Sequence, residues 1–393
     1  MNGGNERRSS SDRQRSNVST RLTVMMLGVL VGSVLFAYAA FAAAQVGVNH
    51  DRATIQQVIF VFRHGDRTPT ETYPNDPYRS YKWQGGWGAL TKAGMLRMYN
   101  VGRWIRDEYG MVIGSNYRNE VSLTQSSYAD RCIMSAQALL AALYPPSAEE
   151  IFVPGLTWRP VPVHSVPRNL DKTIVVKAPC PRLEEALKEA YANESASSES
   201  PPAEYYRELS EHTGQNITTI TDVEFLYNTL EIEVLEGLKL PEWTRKYYNR
   251  QMREIAARSL AIFTSNTLQQ RLRGGPLLKE IVERMYAFNK GKDTRRAYLY
   301  SAHDITLVNL LRAMGFTSEY YKPEYGATLA FELHSASEFA ENAELKLMYL
   351  NKTDQIVPYP MEIPKCGTPC LLKNLTKLWE NVLPDNWDDE CQL

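Results

Sequence analysis

The sequence has almost no net charge, and the absence of a basic excess excludes one class of function. Its 393 residues carry 44 Lys and Arg against 45 Asp and Glu, a formal net charge of −1. A protein built around nucleic acid shows a basic excess, so nucleic acid is excluded as the main partner. Hydrophobic residues make up 44% and charged residues 23%, which is typical of a globular chain rather than a disordered, collagenous or multi-span membrane protein.

Several common catalytic and binding motifs are also missing. The sequence contains no P-loop, no GxGxxG dinucleotide fingerprint, no GxSxG elbow and no HExxH zinc motif. Four histidines have no second ligand at metal-binding spacing, and we interpret them as structural or surface residues: His50, His164, His212 and His334. Nucleotide binding, the usual serine hydrolase arrangement and zinc proteolysis are therefore not indicated.

The N-terminus indicates export. Residues 1–21 form a basic tail with five arginines against two acidic residues, and residues 22–44 follow without a charge. The segment ends in three alanines, which suits signal peptidase cleavage, yet it is long enough to span a bilayer. We leave open a cleaved signal peptide and an uncleaved anchor with a cytosolic N-terminus. Either places the rest of the chain on the lumenal or extracellular side, in the secretory pathway.

Glycosylation sequons and cysteines agree with export. Four sequons lie in the exported part, at Asn193, Asn216, Asn351 and Asn374. The cysteines number five, an odd count that leaves at least one free or paired between chains. Cys366 and Cys370 lie in a Pro/Gly-rich stretch that suits a tight local loop, with a zinc site as the alternative.

The hydrophobic pattern predicts an α/β fold with an insertion. Val58–Phe62 is an apolar β-rich run typical of a buried strand, and Ala297–Ser301 is a second one. Helices are predicted over 90–108, with Thr91 as cap and Gly110 as stop, and over 128–143, 276–288 and 305–314. Residues 328–333 and 345–350 are predicted as antiparallel strands late in the sheet.

The middle of the chain has a different hydrophobic pattern. Residues 161–273 have helical periodicity without a clear β run, and the best helix candidates are 182–191, 222–235 and 242–267. Residues 193–202 are typical of an exposed loop. We therefore predict an α/β sandwich core over 50–160 and 274–393, interrupted by a helical cap over 161–273.

The segment Arg63-His64-Gly65-Asp66-Arg67-Thr68-Pro69 follows the first predicted strand and is the strongest chemical signal. Guanidinium groups bind phosphate in a forked geometry and keep their charge. An imidazole between them can attack phosphorus and form a covalent intermediate. The glycine would let the backbone approach the ligand. The alternative is a basic surface loop.

A second histidine, His303, stands with Asp304 between the second predicted strand and a helix. Because ligands bind at the carboxyl ends of strands in such sheets, both motifs are expected at one edge. Asp304 could donate a proton to a leaving oxygen and then activate water, while His303 could bind a phosphoryl oxygen. The alternative is that Asp304 only caps the helix, with His303 as a turn residue.

Arg131 lies at the start of the helix predicted over 128–143. It could be a solvated helix end or a third guanidinium for the same anion. Its neighbour Cys132 is expected to be a small buried residue rather than a nucleophile.

These motifs resemble the histidine acid phosphatases, with the prostatic and lysosomal branch as the nearest match. The resemblance rests on the RHGDRTP loop, Ala129-Asp130-Arg131 with Met134-Ser135-Ala136, Ser301-Ala302-His303-Asp304 and Leu90-Thr91-Lys92-Ala93-Gly94-Met95. It covers the chain from Val58 to the C-terminus. The family implies a core similar to that of phosphoglycerate mutases with a helical cap, no metal and no cofactor.

The resemblance also implies roles for individual residues. His64 becomes the phosphohistidine nucleophile, Arg63, Arg67, Arg131 and His303 bind phosphate, and Asp304 donates the proton. It suggests the disulfides Cys180–Cys391 and Cys366–Cys370, while the third disulfide usual in the branch has no match and Cys132 is left free.

The expected function is the hydrolysis, in acid, of small-molecule or protein phosphate monoesters. No nucleic acid partner is expected, and any membrane contact would run through residues 22–44. A homodimer is left open. Alternatives are a phytase-like inositol phosphate phosphatase, a mutase of the same superfamily, and a catalytically idle membrane-tethered binding glycoprotein.

Overall fold

A computed structural model describes residues 52–335, 343–354 and 356–393. Ile55–Leu393 forms one compact unit. The predictions for the basic tail, the apolar segment 22–44 and His50 lie outside the described residues. Among the helices of the described ranges, none has the length and apolar character needed to cross a membrane.

A mixed sheet forms the centre of this unit. The described residues give seven strands in the order β3-β2-β4-β1-β5-β6-β7. Strands β1 to β4 pair in parallel, whereas β5, β6 and β7 join antiparallel to β1 and to one another. Their bounds are β1 Ile55–Arg63, β2 Ser122–Ser126, β3 His164–Ser165, β4 Ala297–Ala302, β5 Thr328–His334, β6 Glu344–Leu350 and β7 Tyr359–Met361.

Helices occupy both faces of the sheet and most of the segment between β3 and β4. In chain order the α-helices of the described part are α1 Lys92–Ile113, α2 Asp130–Leu143, α3 Pro181–Ala196, α4 Ala203–Thr213, α5 Ile220–Leu235, α6 Thr244–Tyr247, α7 Arg250–Ala261, α8 Thr267–Gln269, α9 Gly275–Asn289, α10 Asp304–Ala313, α11 Leu375–Leu378 and α12 Trp387–Glu390. A π-helical turn, Gln270–Gly274, joins α8 to α9.

The alternation of side chains along β1 explains the layers. Phe60 and Phe62 point to the face covered by α1 and α2, whereas Ile59 and Val61 point to the face covered by α9 and α10. All four side chains are fully buried. A strand with both faces covered must be apolar throughout, which is why its sequence shows no polar alternation. This confirms the predicted α/β sandwich.

Helices α3 to α7 build a separate apolar cluster around residues such as Leu209, Val223, Leu230 and Met252. They fall in the range predicted as a helical cap. The short strand β3 also falls in that range, although it pairs with β2 and so belongs to the edge of the sheet. The division into core and cap stays a prediction.

The helices predicted over 90–108 and 242–267 differ from the observed ones. Helix α1 continues past Gly110, because its apolar face extends to the buried Ile113, and it stops at Gly114 with a φ of 76°. The predicted helix over 242–267 is instead broken into α6, α7 and a 3₁₀ turn, since the Asn249 side chain caps a new helix by accepting from the Met252 amide. Thr91 caps α1 as predicted, accepting from the Gly94 amide.

Strand β2 was missed by the sequence reading, although it lies inside the sheet next to β4. Its sequence, SLTQS, is mostly polar, and its buried positions are Ser122, Thr124 and Ser126. Small hydroxyl side chains fill that side, so the strand lacks the apolar signal that a buried strand normally carries.

The structure contains both disulfides suggested by the resemblance, Cys180–Cys391 and Cys366–Cys370. The second disulfide uses both cysteines of this loop, so it excludes the alternative of a zinc site there. Of the sequon asparagines, Asn193, Asn216 and Asn374 are exposed. Asn193 lies on the last turns of α3 rather than in the predicted loop, because that helix runs on to Ala196. Glycosylation itself stays a prediction.

Candidate active site

The site lies where three parallel strands end side by side. Ser126 of β2 is level with Ser301 of β4, which in turn is level with Phe62 of β1. Each strand therefore delivers its next residues to the same edge of the sheet. The predicted motifs at His64 and His303 meet there, and their rings lie 5.5 Å apart between centroids.

Arg63 is the last residue of β1 and is only 1% exposed. Its Nη2 lies 2.8 Å from Oδ2 of Asp304, and its Nη1 donates to the Pro323 carbonyl at 2.7 Å. Its guanidinium also lies 4.0 Å above the ring centre of Tyr325. Burial alone would lower the pKa of Arg63, but Asp304 and its other acidic neighbours raise it above its ordinary value. Arg63 is thus a fixed, permanently charged group.

His64 carries its proton at a defined nitrogen. Nδ1 lies 2.8 Å from the Gly65 carbonyl, which can only accept, so Nδ1 is the donor and Nε2 keeps a free electron pair. Burial first, and then the charges of Arg131 and Arg63, hold the pKa of His64 well below its ordinary value. The ring therefore favours its neutral form more strongly than an exposed histidine does.

Packing gives Gly65 a role that the sequence analysis did not include, and the predicted approach of its backbone to a ligand stays a prediction. A Cβ atom at this position would lie 2.4 Å from the carbonyl oxygen of Gly94 in α1. Gly94 is equally constrained, since its own Cβ would meet the Asp66 carbonyl at 2.2 Å. The Gly65 amide donates to Ser135 of α2 at 3.1 Å. The two glycines let α1 pack directly against the loop and so hold His64 in place.

Two further guanidiniums surround His64. Arg67 is 9% exposed and donates to the Thr68 carbonyl at 3.0 Å, while Arg131 enters from the first turn of α2. Nη2 of Arg131 lies 3.4 Å from Nδ1 of His303. Burial lowers the pKa of Arg131, although a guanidinium remains charged at any working pH. Arg131 thus faces the site rather than solvent.

His303 is held by contacts that differ from those of His64. Its Nε2 lies 2.8 Å from the Ser127 hydroxyl, and Nδ1 accepts from Arg131. Burial, together with the charge of Arg131, lowers the pKa of His303 to about 3. His303 is the N-cap residue of α10.

Asp304 opens α10 and faces Arg63. Its Oδ1 accepts from the Ile305 amide at 2.8 Å, so it does help to cap the helix. Burial raises the pKa of Asp304, but Arg63, Lys322 and His303 outweigh it and hold the pKa below its ordinary value. The carboxyl group is therefore ionised when Arg63 is its partner.

Three residues that support the site were not singled out by the sequence analysis. Ser127 contacts His303, and the Tyr325 ring lies under the Arg63 guanidinium. Lys322, which also precedes β5, lowers the pKa of Asp304 through its charge. One signal could have found the last two. An antiparallel strand next to β1 begins at the edge where β1 ends, so the residues before Thr328 must lie beside Arg63 and His64. The Gly326 amide indeed donates to the His64 carbonyl at 3.1 Å.

Cys132 lies beside His303 and is a buried free thiol. It is fully buried, and its Sγ lies 3.6 Å from Nε2 of His303. Burial raises the pKa of its thiol to about 12. Because the thiolate is the reactive form, this cysteine is a packing residue, as the sequence predicted.

A cavity of about 770 Å³ adjoins Arg131. Trp83, Trp87 and Met134 contribute to its walls, and its charged lining residues are Arg131, Lys92, Asp130 and Glu236. Besides Arg131 it therefore offers one cation against two carboxylates.

The charge pattern suits a phosphoryl group. The three guanidiniums surround a neutral imidazole, and the Nε atoms of Arg63 and Arg131 are buried without an acceptor among the described residues. Buried donors are normally paired, so an oxygen anion entering the site would satisfy them. Such an arrangement can bind a phosphoryl group and stabilise the charge that develops as it is transferred.

The sequence matches known proteins over most of its length. The histidine phosphatase superfamily (branch 2) matches residues 54–350. Human lysosomal acid phosphatase is 33% identical over 349 residues, covering 86% of this chain and 81% of the human protein. Human prostatic acid phosphatase is 32% identical over 342 residues, covering 85% of this chain and 87% of that protein.

Solved structures share the fold at lower identity. The phytase of Citrobacter braakii has a TM-score of 0.62 at 15% identity, covering 86% of this chain and 100% of that one. The Hafnia alvei phytase in complex with tartrate has a TM-score of 0.63 at 14% identity, covering 86% and 98%. At these identities the likeness concerns the fold alone.

Proposed function

Because this chain belongs to branch 2 of the histidine phosphatase superfamily and is a phosphatase, we propose that it hydrolyses phosphate monoesters in acid through a phosphohistidine on His64. The observation that carries the proposal is the state of the His64 ring. Its Nδ1 donates to the Gly65 carbonyl, and three guanidiniums and burial keep Nε2 unprotonated. A nucleophile of this kind remains active at a pH where ordinary histidines are protonated.

In the first step, Nε2 of His64 attacks phosphorus and the ester P–O bond breaks. The phosphoryl oxygens bind Arg63, Arg67 and Arg131, whose charges replace those that a metal ion supplies in other phosphatases. The leaving oxygen takes the proton of Asp304. A bound phosphate shares the charge of Arg63 with Asp304, so the pKa of Asp304 rises and the carboxyl can carry that proton.

In the second step, the Asp304 carboxylate takes a proton from water while the water oxygen bonds to phosphorus. The N–P bond breaks, inorganic phosphate leaves, and Nε2 recovers its electron pair. Asp304 is protonated again at the end of this step, it releases the proton when phosphate leaves and Arg63 becomes its partner again, and the next bound ester restores it. His303 contributes by holding Arg131 and by lying next to the transferred group.

The substrate class we propose is broad and carries few charges besides the phosphate. Human lysosomal and prostatic acid phosphatase support acid monoesterase activity. A phytase-like activity would favour extra cations for several phosphates, whereas the cavity beside Arg131 is lined by two carboxylates and Lys92. We therefore rank inositol polyphosphates below simple monoesters. A lumenal or secreted location fits the lysosomal and prostatic relatives, and anchoring through residues 22–44 remains a proposal.

The proposal is tested by incubating purified protein with an aryl phosphate from pH 3 to 8, with and without EDTA. We expect hydrolysis that is greatest in acid and unchanged by the chelator. Inositol hexakisphosphate serves as the comparison substrate and should give a lower kcat/KM. A protein that binds phosphate without any hydrolysis would instead be an idle binding glycoprotein, and inhibition by EDTA would contradict the metal-free mechanism.

A further inference from the structure

A buried cation lies behind the site and takes no part in the mechanism above. Lys322 is 6% exposed and belongs to the segment just before β5. Its Nζ lies 3.3 Å from Oδ1 of Asn228 and 3.4 Å from Oε2 of Glu231, both in α5. It also lies 4.9 Å from the ring centre of Tyr227. A lysine is rarely buried to this degree without a specific partner.

The segment that carries Lys322 also holds Arg63. The Pro323 carbonyl accepts from Arg63, and the Tyr325 ring lies under its guanidinium. Glu324, between them, pairs with Arg253 of α7 at 2.7 Å. The link between Lys322 and α5 therefore fixes the backbone that orients Arg63.

Lys322 also acts on Asp304 through its charge. Among the charged groups that act on that carboxylate, Lys322 ranks second after Arg63 in lowering its pKa. The ionisable groups that interact electrostatically with Asp304 are Arg63 of β1, Arg131 and Cys132 of α2, Glu224 of α5, His303, Lys322 and Tyr325. Burial and Asp304 raise the pKa of Glu224 to about 7, so Glu224 is neutral in acid and does not offset Lys322 there.

We propose that Lys322 is a positioning residue of this site: its buried ammonium ties the segment supporting Arg63 to α5 and supplies a positive charge that acts on Asp304. The inference rests on the proposed function, because its test reads out hydrolysis. A lysine that only stabilised the fold would affect the unfolding temperature but would leave the pH dependence of hydrolysis unchanged.

The main test compares Lys322→Met with Lys322→Arg. Removing the cation raises the pKa of Asp304, and a general acid must be protonated to act. The pH profile of kcat reports the substrate complex, in which Asp304 carries the proton, so its high-pH limb should move upward by about 0.5 pH unit or more in Lys322→Met. Lys322→Arg, which keeps the charge, should restore the limb. Inhibition by inorganic phosphate should weaken about threefold in Lys322→Met, because Arg63 loses its support.

A second variant gives the opposite sign and does not depend on the folding of Lys322→Met. Glu231→Gln removes a negative charge near Lys322, so the positive charge of Lys322 acts more strongly on Asp304. The pKa of Asp304 should then fall, and the same high-pH limb should move downward. Arg258→Met is the matched control, since Arg258 forms a similarly buried ion pair with Glu194 at 2.8 Å in the helical region. That control should leave the limb in place.

The outcomes separate the two proposals. A wild-type protein that hydrolyses the ester, with an unchanged limb in Lys322→Met and in Glu231→Gln, overturns the role of Lys322 and leaves the proposed function intact. A wild-type protein without hydrolysis overturns the proposed function itself.

Discussion

The loop after β1 and the loop after β4 reach the same edge of the sheet, and each brings one buried histidine. Both rings are kept neutral by the same causes, burial and neighbouring guanidiniums. Their hydrogen bonds differ. His64 donates from Nδ1 to the Gly65 carbonyl, whereas His303 contacts Ser127 with Nε2 and Arg131 with Nδ1.

Under the proposed mechanism, this difference separates a nucleophile from a positioning or binding group. A ring with one nitrogen satisfied by the backbone has its other nitrogen available for attack, whereas a ring with partners at both nitrogens is held in place. The loop after β1 can therefore supply the reacting atom, and the loop after β4 can supply the proton of Asp304 and help to shape the anion site.

The largest expected effect tests this division. His64→Ala should lower kcat by at least about 10⁴-fold, because it removes the atom that bonds to phosphorus. His303→Ala should lower it by about 10²-fold, because it weakens only the stabilisation of the phosphoryl group. Steady-state kinetics with one aryl phosphate gives both values.

Rapid quenching sharpens the same comparison. The wild-type protein should yield an acid-labile phosphohistidine during turnover, and His303→Ala should still yield it, whereas His64→Ala should not. Equal losses in both variants, or labelling at His303, would show that the proposal places the nucleophile on the wrong loop.

The next effect concerns Asp304, which belongs to the second loop. Asp304→Asn should slow alkyl phosphates by about 10²- to 10³-fold, since their leaving oxygens need a proton. The loss with nitrophenyl phosphate should be much smaller, because that leaving group departs as a stable anion. The ratio of the two rates measures proton donation. A similar loss with both substrates would show that Asp304 serves mainly to hold Arg63.

Much of this edge was predictable from the sequence. The apolar strands that become β1 and β4, each followed by a histidine, imply that both histidines lie at the carboxyl ends of neighbouring strands. The guanidiniums of Arg63 and Arg67 could also be predicted, because both residues belong to the same motif as His64. Arg131 was harder to place, because its helix follows β2, a strand whose buried side chains are hydroxyls without an apolar pattern.

The supporting residues could not be predicted for a physical reason. Ser127, Lys322 and Tyr325 have no motif, and their roles depend on which strand lies next to which. The close approach of Gly65 to Gly94 is likewise a contact between distant parts of the chain. The break after Tyr247 depends on the Asn249 cap, which hydrophobic periodicity does not record.

The smallest expected effect compares two neighbours of His303. Cys132→Ala should change kcat/KM by less than about threefold, because a thiol with a pKa near 12 is neither charged nor a strong donor. Ser127→Ala, which removes the 2.8 Å contact at Nε2, should cost about tenfold by freeing the ring. The folded protein should also resist thiol-labelling reagents at neutral pH and react once unfolded. Rapid labelling of the native protein, or a larger loss in Cys132→Ala than in Ser127→Ala, would mean that the thiol rather than the hydroxyl holds the second histidine.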